Sequence, residues 1–428
     1  MSAWLVRLVL CTVVSAGGLA LAPSAASGQL PCLPGVTCLP NPLPSPSPSP
    51  SPSPAPSPPP PAPPPTGPPG GERLPPPPPP PEPAACPFRP TPGAGRFVGL
   101  VSEDLLAAGP RYRTCNLNRQ RAAGVDLIRQ VFNWAAIEPR RGHYDLDYYD
   151  AYVGALARYR IRVLPILAGA PRFRSSRPRR RARRGMYPPR RYSDLGRFGA
   201  VLVRRYGPRG SFWRSHRGLP GMAIRAWQIW NEPNLRAYWP RGPNPRSYTR
   251  LLRAARKGIK RADRGAEIVT AGLPNSRLAT ISYSRFISRM YRSGGRRAFD
   301  TLAIHPYAPT AGGAVRLVRR VRRLMNRHGD RRGRLWVTEI GWATGGPPSR
   351  FRTSRRGQAR RIGAALRSLY RARKRLRLRG VIYYNWHDLK PYPPLYQDFF
   401  GLHTGLLDSR DGAKPSLGSF GRAARRMR

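Results

Sequence analysis

From residue 96 to the C-terminus, short apolar runs alternate with longer segments in which apolar positions recur every three or four residues. RFVGLV at 96–101 is followed by NLNRQRAAG, DLIRQVF at 126–132 by YDLDYYDAYVGALARY, RVLPIL at 162–167 by YSDLGRFGAVLVRRY, and AWQIW at 226–230 by PRSYTRLLRAARKGIKRAD. The second half repeats the alternation. EIVTA at 267–271 precedes ISYSRFISRMYRS, DTLAIH at 300–305 precedes GGAVRLVRRVRRLMNRHGD, LWVT at 335–338 precedes SRRGQARRIGAALRSLYRAR, and VIYYNW at 381–386 precedes a short helix near 414–425. Continuously apolar strands suit a parallel sheet covered on both faces, and the intervening periodicity is that of covering helices.

Strand-then-helix units repeated in this way predict an α/β fold, a (β/α)₈ TIM barrel. A doubly wound open sheet is the alternative. It lacks its nucleotide signatures here, because no GxGxxG follows the first strand and no GxxxxGK[ST] occurs. Two strand-to-helix connections are long: a basic one at 170–191 and an aromatic one at 387–412. Both belong to the barrel face on which sites are built.

Composition changes the picture only upstream of the barrel. Residues 1–27 carry an early Arg7, an apolar stretch from Leu8 to Leu21 and small residues after it, the pattern of a cleavable export signal. Residues 28–85 form a disordered Pro-rich linker, with SPSPSPSPSPAPSPPPPAPPP and PPPPPPPEP reading as an extended spacer. The folded domain is assigned to 86–428, and no later stretch is long and apolar enough to span a bilayer, so no transmembrane segment is expected in the mature chain. Secretion or cell-surface association, as a monomer, is the expectation. In that oxidising setting Cys32 with Cys38, and Cys86 with Cys115, are candidate disulfides. No CxxC pair or His cluster accompanies them, which argues against zinc.

The net charge of +56 comes from 76 lysines and arginines against 20 acidic residues. Such a field draws anionic polymers, including acidic cell-wall glycans, although it also fits solvated helix faces. Around 312–330, Leu317, Val321, Leu324 and Met325 make an apolar stripe with the arginines facing away. Specific nucleic-acid recognition has no motif to support it.

In a barrel the residues at strand C-termini share one bowl. Here they are Arg129, Asn133 and Trp134; Asn231 and Glu232; His305 and Tyr307; Glu339 and Trp342; and Asn385, Trp386, His387 and Asp388. The two glutamates stand among aromatics, without metal-ligand spacing. Paired carboxylates across a bound substrate suit glycosidic-bond hydrolysis, and Trp134, Trp342 and Trp386 offer faces for sugar stacking.

WNEPN at 230–234, HPY at 305–307, TEIGW at 338–342 and the tryptophan after the eighth strand together resemble clan A of the retaining glycoside hydrolases, families 39 and 5 above all. The resemblance implies Glu232 as general acid/base, Glu339 as nucleophile and Asn231 on the sugar 2-hydroxyl. It further implies that Tyr307 orients Glu339, His305 lines the same subsite, Arg129 favours the charged form of Glu339, and Trp386 floors the subsite. No cofactor and no metal are implied; the partner is a β-linked polysaccharide or oligosaccharide. The basic 170–191 loop and the lack of an appended β-sandwich depart from the family pattern. The competing expectation is a non-catalytic surface module that grips acidic glycans through arginine.

Overall fold

The computed structural model describes residues 97–179, 185–276, 278–389 and 398–427. The export signal, the Pro-rich linker, and Cys32, Cys38 and Cys86 lie outside them. Cys115 is disulfide-bonded, and its partner also lies outside them.

Eight parallel strands close into a barrel in sequence order: β1 Val98–Val101, β2 Leu127–Asn133, β3 Arg162–Ala168, β4 Ala226–Ile229, β5 Glu267–Thr270, β6 Thr301–Ile304, β7 Arg334–Val337 and β8 Leu378–Tyr383. Principal helices follow the strands: α1 Pro110–Ala122, α2 Asp147–Arg158, α3 Tyr192–Tyr206, α4 Pro245–Ala262, α5 Tyr283–Arg292, α6 Ala311–Arg327, α7 Arg355–Arg371 and α8 Pro415–Arg426. The barrel fold expected from the alternation is therefore present. Among the described residues, no helix is long and apolar enough to cross a membrane.

Alternation along each strand splits the core into two layers. Leu127, Leu164, Ala226, Val269, Ala303, Trp336 and Ile382 fill the barrel. Their neighbours, among them Ile128, Trp227, Leu302, Val337 and Tyr383, face the helices and join the larger layer. A Leu→Ala change in either layer would cost roughly 2–5 kcal/mol, through lost transfer energy and the cavity left behind. The tightest helix crossing is α3 on α4, where a Cβ at Gly258 would stand 2.2 Å from the Gly196 carbonyl oxygen. Only two glycines allow the backbones so close.

Three sequence expectations shift. The last strand is LRGVIY rather than VIYYNW, so Asn385 and Trp386 belong to the loop beyond it. Short helices at Trp134–Ile137 and Ser211–Ser215 interrupt the simple alternation. On α6 the buried stripe runs Ala314, Val315, Val318, Val321, Leu324 and Met325, with Leu317 only partly covered. Arg322 is buried with them, because its guanidinium donates to the carbonyls of Leu376, Asp330 and Gly333.

Candidate active site

The C-terminal ends of the strands surround a hollow lined by Glu103, Arg129, Glu232, Glu339 and Tyr384, among others. Polar side chains enter this apolar setting by two routes. On β2, alternation sends Arg129 inward between Leu127 and Val131, and on β4 it sends Gln228 inward after Ala226. The glutamates instead lie just past strands that have already ended, where loop geometry decides direction. At β4 the turn is made by two left-handed residues, Trp230 at φ 71° and Glu232 at φ 40°. Non-glycine residues in that region are strained and persist where the surroundings over-determine them, a pattern concentrated at functional sites.

Arg129 is the hub. Its Nε donates to Gln228 Oε1 at 2.6 Å, Nη1 to Glu339 Oε1 at 2.6 Å, and Nη2 to Asn231 Oδ1 at 2.8 Å. With 2% exposure it is no solvated strand-end charge. Tyr307 donates to the other oxygen of Glu339 at 2.7 Å, so both oxygens accept hydrogen bonds and the carboxylate is fixed. Burial beside the carboxylates holds the Tyr307 phenol well above its ordinary range and keeps it a donor. Because the Asn231 carbonyl oxygen faces Arg129, its amide NH₂ is the group left to meet a ligand.

Glu232 has the opposite environment. It is 4% exposed, and burial, reinforced by the nearby Glu339 charge and only partly opposed by Arg129, raises its carboxyl well above the usual range. Nδ1 of His305 lies 2.7 Å from Glu232 Oε1 and 3.4 Å from Glu339 Oε2. Burial and then Arg129 lower the His305 pKa, which favours the neutral ring. That ring is seated against Gly272, where a Cβ would fall 1.9 Å from Nε2. Any larger residue there would displace His305.

One ligand atom from each of Glu232, His305 and Glu339 lies within 4.8 Å of the others. Among the described residues this is the one convergence of such groups close enough to hold an ion. In this arrangement the side chains are engaged with one another and with Arg129 and Tyr307.

The three tryptophans expected to stack on sugar are elsewhere. Trp134 is fully buried, stacked on Phe198 at 5.1 Å, with its indole N–H on Glu138. Glu138 in turn receives Arg174, which moors the start of the basic loop. Trp342 and Trp386 are also fully buried, their indole nitrogens donating to the Ala308 carbonyl and to Asn116. None lines the hollow. Its ring faces come from Tyr238, Tyr307, Tyr384, Phe399 and Phe400.

Sequence reading also passed over Gln228, which props Arg129 from within β4, and Glu103, which follows β1. The signal for Glu103 lies in its position just past the first apolar run, the strand end equivalent to those that carry Glu232 and Glu339. Burial, then the Glu339 charge, push Glu103 up to about 8. A carboxyl whose folded-state pKa exceeds its unfolded value binds more protons in the native state, so stability falls as pH rises from about 4.5 toward 8. Glu103→Gln is therefore expected to raise the thermal midpoint at pH 7.5 and to leave it nearly unchanged at pH 4.5. Thermal unfolding of both proteins at the two pH values checks this.

No family model matches the chain, and no curated protein does. Solved structures do. A family 39 glycoside hydrolase from the gut symbiont Bacteroides cellulosilyticus WH2 superposes with a TM-score of 0.56 at 20% identity, over 78% of this chain and 64% of that one. A monomeric beta-xylosidase from Caulobacter crescentus CB15 gives 0.56 at 18% identity, over 78% and 69%. GH5_18 from Streptomyces cattleya, in complex with GlcNAc, gives 0.55 at 15% identity, over 78% and 80%. The chain thus spans just under two thirds of the first of these proteins. What it shares with all three is the barrel fold of the family 39 and family 5 glycoside hydrolases.

Proposed function

We propose that this chain is an exported retaining glycoside hydrolase that cleaves β-linked oligosaccharide or polysaccharide with two glutamates. The observation that carries the reading is the contrast between two carboxyl groups whose oxygens come within 4.8 Å of each other. Retaining enzymes hold their carboxyls about 5–5.5 Å apart, whereas inverting ones need about 6.5–9.5 Å to admit a water. Glu232, raised by burial, holds a proton; Glu339, clamped by Arg129 and Tyr307, presents an oxygen to the anomeric carbon.

In the first step a Glu339 oxygen bonds the anomeric carbon as the glycosidic C–O bond breaks and the Glu232 proton passes to the leaving oxygen. In the second, water attacks the same carbon, its proton returns to Glu232, and Glu339 is released. The Asn231 amide is placed to bond the sugar hydroxyl next to the reacting carbon. The neutral fold resemblance at low identity is compatible with this chemistry, and the export pattern at 1–27 with the proline spacer supports action outside the cell, held off a surface. A Cys86–Cys115 disulfide would tie the start of the domain to α1.

The first-formed product decides the stereochemistry. Proton NMR during hydrolysis of a β-glycoside should show the β-anomer appearing first, with the α-anomer growing only by mutarotation. Initial α-anomer would exclude the double displacement.

A further inference from the structure

Glu103 plays no part in the two-step reaction, yet it lines the same hollow as Glu232 and Glu339. Its Oε2 is shielded from solvent and has no hydrogen-bond partner. A buried polar atom without a partner is costly, and the carboxyl that carries it belongs to a residue lining a hollow that a ligand can enter. The segment that carries it is held firmly. Asp104, the next residue, accepts from Ser102 at 3.1 Å and lies 2.7 Å from His387 Nδ1, whose Nε2 lies 2.6 Å from Asp411. The Tyr112 hydroxyl of α1 lies 3.3 Å from each of those aspartates and can donate to either. The start of the β1 loop is thereby locked to the β8 loop, across the seam where the barrel closes.

The charge of the hollow restricts what Glu103 can meet. Glu103, Glu232 and Glu339 line it, and Arg129 is its one cationic lining residue among those described. The Arg129 fork is already spent on Gln228, Glu339 and Asn231. A sugar carboxylate bound here would face acidic groups with no free cation among the described lining residues to answer it, despite the chain's net charge of +56.

We propose that Glu103 selects the glycone: the sugar bound beside Glu339 is uncharged, and one of its hydroxyls pairs with the Glu103 carboxyl. This rests on the glycoside hydrolase reading above and narrows its substrate class to neutral glycones. With its carboxyl raised by burial and by Glu339, Glu103 is a protonated donor near neutral pH and can give a hydrogen bond as well as accept one. A site built to bond a hydroxyl discriminates strongly against a sugar lacking it, because the protein's own polar group is then stranded.

The test measures kcat/KM of the full chain on aryl β-glycosides carrying neutral sugars, an amino sugar and a uronic acid, with wild type, Glu103→Gln and Glu103→Leu. It then uses the best neutral substrate deoxygenated at each ring position in turn. Wild type should favour a neutral glycone over the uronide by at least about 10²-fold. Glu103→Gln, which keeps a donor in place, should stay within about tenfold of wild type, while Glu103→Leu should lose about 10²-fold. That loss should disappear on the one deoxy sugar that lacks the bonded hydroxyl. Equal losses on every deoxy sugar would mean a merely structural role and would overturn the proposal, as would preferred cleavage of the uronide or of the amino sugar. Those outcomes leave the two-glutamate reading intact; a wild type silent on every glycoside would sink both.

Discussion

With Glu339 as the proposed nucleophile, Glu339→Ala should reduce turnover of aryl β-glycosides on the order of 10⁵-fold, because the carboxylate that would bond the anomeric carbon is gone. The variant should still fold, since it relieves a charge in an acidic hollow. It does leave Arg129 less well compensated, and removing one partner of a buried pair is destabilising, so circular dichroism should accompany the kinetics. The loss is reversible by chemistry. Azide fits the space vacated by the carboxylate and attacks from the same side, and with only one displacement the product is the α-glycosyl azide. Activity that survives in Glu339→Ala would reject the assignment.

Glu232→Ala should fail in a different way. Its proton is needed in proportion to the basicity of the departing oxygen, so poor leaving groups should slow by about 10²–10⁴-fold. An activated aryloxide such as 2,4-dinitrophenolate should still depart, and the covalent intermediate should then accumulate for want of a base to activate water. Azide now intercepts that intermediate and gives the β-glycosyl azide. The pH dependence follows from the same group. Glu232 acts as an acid only while protonated, and burial with the Glu339 charge raises its pKa. Wild-type kcat/KM should hold at neutral pH and fall as pH climbs past that raised value. The alkaline limb should vanish in Glu232→Ala, and a limb unchanged in the variant would assign the acid elsewhere.

The barrel was legible because each parallel strand is buried on both faces and so reads as an unbroken apolar run. The glutamates were legible because a carboxylate at the end of such a run demands a reason. Direction beyond the last strand residue was not legible. Period two governs side chains only while the chain is extended, and β7 and β8 end at Val337 and Tyr383, short of Glu339 and Trp386. A tryptophan at a strand end offers a platform for a sugar or a wedge for the core, and its N–H chooses. Trp134, Trp342 and Trp386 all found acceptors within the protein. Tyr384, two residues ahead of Trp386 and in line with the inward-facing Ile382, supplies a ring instead. The resemblance tied Arg129 to Glu339, but its bonds to Gln228 and Asn231 were not legible, because its three acceptors are 99 to 210 residues away in sequence.

Mass spectrometry of a trapped intermediate asks whether Glu339 is the group that bonds the sugar. An activated 2-deoxy-2-fluoro glycoside of the preferred sugar slows both steps but still forms the ester, and tryptic cleavage after Arg334 and Arg350 isolates Glu339 on one peptide, 335–350. One fluorosugar should be added per chain, carried on Glu339. An adduct on Glu232 or Glu103, or inactivation with no adduct, would contradict that assignment.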